Sequence, residues 1–446
     1  MKRWIAIIAL LLGACGGGTN DKTGTNQQIV SLPDLTAYED YAAHLSTDGQ
    51  RAVFMSRREN GAYRAYAFDA AAVPELKKIA DIGPLVEGEQ EISVTLDEVG
   101  EWVAVERQLG NSHYLLVSNW SGTASGKVDL SQKSEVSQIS LKGGLLPLVA
   151  YSERIGRATI SNVLQITVAG PRLTLASIGA FSGEDQPYLS TDASGKTLLY
   201  TATVAESKVS WRARTYDPAS GTWTVQGTPF VLPSKSQEVS ASSRGLFYIR
   251  TLATLKTKTK LGSNTDRPEG YVPVVGVLDS LSQYDPFGGT TVDFGAAEYL
   301  NYEPLTLSSV SASHDGAYLL LTGNDTYFCK TRSQTFNSLL LVRTLDMKVI
   351  PIFIVRDEAD PAWTAVDTDL CPYFDQIDPP PVVKVFDTNI AKAVLGGTDG
   401  TTFHLAYEST ASRDREVYRL DFKVDDWTMR TLSSVAIKNI SNNIRP

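Results

Sequence analysis

Four histidines, three cysteines and one crowded run of carboxylates are the side chains in this 446-residue chain best suited to chemistry. The histidines, His44, His113, His314 and His404, are scattered, and none sits in a nucleophile motif. There is no Gly-x-Ser-x-Gly elbow, no His-Glu-x-x-His pair and no phosphate-binding glycine loop. His404 lies inside an apolar strand and reads as a packed residue, not a base. His113 begins a strand, and His44 and His314 lie beside equivalent turns. A Ser/His/Asp triad assembled from distant segments stays open, because triads are defined by geometry and not by chain order. Asp357, Glu358, Asp360, Asp367, Asp369, Asp375 and Asp378 crowd one stretch. Hard cations take such oxygens, but the spacing matches no calcium loop. A solvated acidic segment is the simpler reading, with Ca2+ the one cofactor kept in view. Cys329 and Cys371 lack the spacing and neighbouring histidines of a zinc site.

Cys15 has a different context. Lys2 and Arg3 precede a short apolar run from Trp4 to Leu12, too short to span a bilayer. The run ends in Leu12-Gly13-Ala14-Cys15, which resembles a bacterial lipobox. The resemblance implies that residues 1–14 are a lipoprotein signal peptide and that Cys15 is acylated. Residues 15–28 then form a Gly/Thr/Asn tether, and 29–446 the folded domain. Gly16 stands where an Asp often retains lipoproteins at the inner membrane, so the outer membrane is the expected address within the cell envelope. A net charge of −9 argues against duplex nucleic acid as a partner.

The elements that must position any site repeat along the chain. Ser46-Thr47-Asp48-Gly49 precedes Arg51 to Met55, and Thr95-Leu96-Asp97-Glu98-Val99-Gly100 precedes Trp102 to Val105. Ser190 to Gly195, Ser313-His314-Asp315-Gly316 and Thr398-Asp399-Gly400 open similar apolar runs, and Lys142-Gly143-Gly144 and Ser242 to Gly245 are weaker copies. Asp bonds nearby amides and Gly takes positive φ, so each copy predicts a tight hairpin turn. A later apolar run in most copies ends in Asp, as at Asp69, Asp217, Asp279, Asp346 and Asp421. One unit is therefore a four-stranded antiparallel meander. The first five turns recur at roughly 50 residues, the length of a propeller blade. The expected fold is all-β: a β-propeller of about seven four-stranded blades. The final strand is open between Gln28–Leu32 and Ala436–Ile440.

These units resemble the WD40-like (PD40) repeats of TolB-like β-propellers, with Thr or His where that family prefers Pro. In such propellers the Asp-Gly turn joins the innermost strand to the second. Long loops at about 251–270, 323–337 and 356–381 are then expected together on the opposite face. That placement implies a disulfide between Cys329 and Cys371, the alternative being two buried free thiols. It also makes Tyr327, Phe328, Trp363, Tyr373 and Phe374 candidate partner contacts, the alternative being a small satellite core. The fold does not choose an activity. A binding or scaffold lipoprotein for an envelope protein, peptide or glycan, acting on the decorated face or at the channel mouth, is the leading expectation. A propeller hydrolase or lyase acting on envelope glycans, peptides or lactones is the runner-up, and it requires carboxylates or a histidine converging in the channel.

Overall fold

In seven places among the described residues a short run of consecutive apolar residues is buried on both faces of its strand. Ala52 to Met55, Trp102 to Val105, Leu148 to Tyr151, Leu198 to Tyr200, Leu246 to Ile249, Leu319 to Leu321 and Leu405 to Tyr407 are all under 9% exposed. A run without alternation fits a strand covered from both sides. Each is the second strand of a four-stranded antiparallel meander in the computed structural model. The structure describes residues 39–441, apart from 60–61, 73–74, 80–84, 131–134, 193, 206–207, 233–235, 261–270, 287–289, 294–305, 329–332, 347, 358–363, 367–383, 388–389, 411–414 and 429–430. The described residues contain no helix long and apolar enough to cross a membrane.

The first strands of the meanders are Asp40–Leu45, Gln90–Leu96, Glu135–Lys142, Asp185–Thr191, Ser236–Ser242, Thr306–Ala312 and Ile390–Thr398. Each packs beside the first strand of the next meander, and the last returns to Asp40–Leu45. An apolar cluster fills every seam between neighbours. One of them joins Phe54, Tyr66 and Phe68 of the first meander to Ala406 and Val417 of the last. The arrangement is that of a β-propeller. Blades 2 and 3 also touch at their outer edges, where Ser125 pairs in parallel with Arg172. Thr431–Asn439 is the fourth strand of the last blade, while Gln28–Leu32 lies outside the described residues. Among the described residues the ring closes through side chains and one isolated parallel bridge from Glu39 to Arg415.

The repeated turns are built as their residues require. Asp48 Oδ1 accepts from the Ser46 hydroxyl at 2.6 Å and from the Gln50 amide at 3.0 Å. Asp315 repeats this with Ser313 and the Ala317 amide. Gly49 has φ +68, and a Cβ there would lie 2.6 Å from the His404 ring. It is needed both for the left-handed turn and for the close approach of blades 1 and 7.

Two of the three expected long loops are in large part strand. Gly245–Lys260 pairs with Tyr271–Asp285 as far as Lys260 opposite Tyr271. Tyr318–Phe328 pairs with Ser333–Arg343 as far as Phe328 opposite Ser333. Lys and Thr alternate from Lys256 to Lys260 with the period of a strand, and threonine favours it, so the hairpin ladder simply continues. Of the third insertion, Asp357 ends a strand and Thr364–Val366 forms a short one.

Candidate functional site

All seven first strands carry the same irregularity. Pairing with the second strand slips between Tyr41 and His44, and again at the matching place in each of the other six blades. A β-bulge bends its strand and re-aims side chains. The bulged stretches include Ala42, Ile92, Ser137, Gln138 and Glu238, and these line one axial cavity of about 460 Å³ to which every first strand contributes. Ala42 and Gln186 adopt positive φ in this region. The Ala42 amide donates to Glu408 Oε1 of the last blade at 2.9 Å, across the closing seam.

The cavity wall mixes aliphatic with polar side chains and carries both charges. His44 lies on the first strand of blade 1 with Lys392 of blade 7 nearby. Burial and then Lys392 push the imidazole down to about 4, so it is neutral at pH 7. Tyr188 of blade 4 and Glu238 of blade 5 form another pair. Burial and then the Glu238 charge push the phenol up to about 12, which keeps it a hydrogen-bond donor. Glu106 reaches the cavity but is already engaged. It accepts from the Ser93 hydroxyl at 2.8 Å and lies 2.7 Å from His113 Nε2. Serine hydroxyls also hold the wall together. Ser140 accepts from the Leu189 amide, Ser240 from Ala312 and Ser311 from Leu395, each linking one first strand to the next.

Behind the wall, buried carboxylates tie strands together, with Glu91 and Asp185 reaching across a seam. Glu91 accepts from the Ala65 amide of blade 1 and pairs with Arg107 of blade 2 at 2.8 Å. Glu184 pairs with Arg214 at 2.6 Å and Arg212 at 2.8 Å, while Asp185 pairs with Arg154 and takes the Ser137 hydroxyl. Asp387 accepts from Ser409 at 2.8 Å. None of these was picked out from the sequence. The signal was present as a glycine followed by acids directly before a first strand, Gly88-Glu89-Gln90-Glu91 and Gly183-Glu184-Asp185-Gln186.

The candidates from the sequence divide as follows. His404 is the packed residue expected, 5% exposed and 2.8 Å from Asp421. His113 is buried against Glu106. His314 lies in its turn, where its carbonyl accepts from the Ser243 amide. His44 departs from its reading as a turn neighbour: the bulge turns it into the axial cavity. Tyr327 and Phe328 sit on a strand, paired with Gln334 and Ser333. Cys15, Cys329, Cys371, Trp363, Tyr373 and Phe374 lie outside the described residues, as does most of the acidic run. Among the described residues no group of three or more His, Cys, Asp or Glu is placed to hold a metal.

No protein-family model matches this sequence, and no curated protein matches it. Among solved structures, one from a study of two prolyl endopeptidases is 10% identical, with a TM-score of 0.44 over 91% of this chain and 49% of that one. The chain thus spans about half the length of that protein. An oligogalacturonate lyase from Vibrio parahaemolyticus is 8% identical, with a TM-score of 0.44 over 88% and 92% of the two chains. The Dos1 propeller is 8% identical, with a TM-score of 0.39 over 82% and 93%. By its own strand order this chain is a β-propeller with an axial cavity of mixed polar and apolar lining.

Proposed function

We propose that the chain is a membrane-tethered, TolB-like propeller of the bacterial envelope. It acts as a binding module whose ligand, part of an envelope protein, a peptide or a glycan, enters the axial cavity. Cys15 carries the lipid, residues 15–28 form the tether, and Cys329–Cys371 is a disulfide. One observation supports the binding reading above the others: seven separate strands each bend to present side chains to one cavity. Its volume lies in the range of small-ligand sites, about 300–1,000 Å³. The runner-up, a hydrolase or lyase, draws on His44, Glu106 and Glu238 reaching the same cavity.

Native mass spectrometry of the chain extracted from envelopes in mild detergent tests this reading. The expected species begins at an acylated Cys15, is two hydrogens lighter for the disulfide, and carries a bound ligand. Ile92→Trp fills the cavity from a half-exposed bulge position and is expected to release that ligand without loss of fold. An unacylated full-length mass removes the anchor. Undiminished ligand on Ile92→Trp removes the cavity. A ligand recovered only as cleaved product favours the enzyme.

A further inference from the structure

The charges of the cavity are arranged as two poles. Lys392 and His44 stand on blades 7 and 1, which are neighbours in the ring. Tyr188 and Glu238 stand on blades 4 and 5, also neighbours. Going round the ring, Tyr188 is three blades from both His44 and Lys392, while Glu238 is two blades from Lys392, with the blade of Thr306–Ala312 between them. Lys392 and Glu238 are exposed to the cavity, and neither has an ion-pair partner among the described residues. No ion pair joins them to each other, and both line the same open cavity. Glu106, by contrast, is already engaged by Ser93 and His113.

We propose that the cavity selects a small zwitterion, a short peptide with both ends free, by holding its carboxylate at Lys392 and its ammonium at Glu238. This rests on the binding-module reading and deepens it. His44 and Tyr188, each beside one charge, supply neutral hydrogen-bonding groups to the same ligand ends. A neutral glycan would use the serine hydroxyls but displace water from both charges without pairing them, which is costly. A polyanion would meet Glu238. Hydrogen bonds to charged groups are individually the stronger ones, so each end of the peptide contributes separately.

The test is calorimetric titration of the detergent-extracted full chain with trialanine, N-acetyl-trialanine, trialanine amide and cellotriose. Trialanine is expected to bind, and blocking either end to weaken it at least about tenfold. Lys392→Gln is expected to abolish sensitivity to amidation alone, and Glu238→Gln sensitivity to acetylation alone. Both side chains are exposed, so neither variant disturbs the core. Equal affinity for free and blocked peptides, tighter binding of cellotriose, variants that do not split in this way, or no binding by any probe would each overturn the proposal. If every probe fails while the extracted chain still carries a ligand that Ile92→Trp releases, the zwitterion falls and the binding module stands.

Discussion

Glu184→Ala is expected to lower the free energy of unfolding by about 3–5 kcal/mol, because it strands a buried guanidinium. Arg214 is 5% exposed, and its forked end meets both oxygens of Glu184 at 2.7 and 2.6 Å. Thr201 donates to the same carboxylate at 2.5 Å, and the Ser161 hydroxyl of blade 3 donates to the Glu184 carbonyl. The next residue, Asp185, turns the other way, to Arg154 and Ser137 of blade 3. The Glu184 carboxylate therefore fixes this junction to blade 4, while its carbonyl and the Asp185 carboxylate tie it to blade 3. This seam needs these ties more than the others. Its fully buried cluster holds only Leu148, Ala150, Val163 and Leu199, where the neighbouring seam between blades 2 and 3 holds thirteen buried residues. Burial raises the Glu184 pKa, but Arg214, Thr201 and Arg212 outweigh it and leave it lowered. Stability from this group is thus present above the ordinary Glu range and lost as pH falls through the lowered value. Urea unfolding of Glu184→Ala, Arg214→Ala and the double variant checks the pair. The double variant should lose clearly less than the sum of the single losses, and plain additivity would contradict a coupled pair.

Asp97→Asn is expected to stabilise the protein at pH 8. Asp97 is a turn aspartate whose Oδ1 accepts from the Trp102 amide at 2.6 Å, while Oδ2 is buried beside Gly143 without a hydrogen-bond partner among the described residues. Burial, first, and then Glu98 push its carboxyl up to about 7, against the opposing effect of the backbone amides. Lys142 lies nearby, but its ammonium donates to the carbonyls of Gly143 and Leu146. Between its unfolded and folded values the native state holds a proton that the unfolded chain releases. Stability from this group therefore falls as pH rises from about 4 to about 7 and is level above that. The full amplitude is on the order of 4 kcal/mol. Asparagine removes the charge but leaves an amide where Oδ2 stood, so a net gain of about 1–3 kcal/mol at pH 8 is expected. His44 acts in the opposite sense. Its lowered value makes stability rise with pH from about 4 towards its ordinary value. The difference between wild type and variant isolates Asp97 from that background. Equal denaturation midpoints for the two proteins at pH 8 would contradict this assignment.

The turns were legible in the sequence because their chemistry is local: Ser46, Asp48 and Gly49 bond within a few residues of one another. The buried second strands were legible because unbroken apolar runs survive any register. The site was not legible. Its wall comes from seven strands far apart in the chain, and the bulges break the alternation by which an inward face is read. Asp40–Leu45 shows burial with a period of three instead of two, so His44 looked like a turn neighbour. Lys392 and Glu238 each look like a solvated strand residue until the ring sets their strands around one axis. The extended hairpins of blades 5 and 6 look like loops in the sequence because polar Lys/Thr and Asn/Thr runs lack an apolar face, although strand pairing needs only the backbone.

Photo-crosslinking in cells that make the protein tests the axial cavity most directly. A benzophenone amino acid is placed at Ile92, on the cavity wall, or at Val225, on the exposed outer strand of blade 4. The expected result is a light-dependent adduct at Ile92 and none at Val225. An adduct at Val225 with none at Ile92 would move the binding surface to the outer rim and contradict the account.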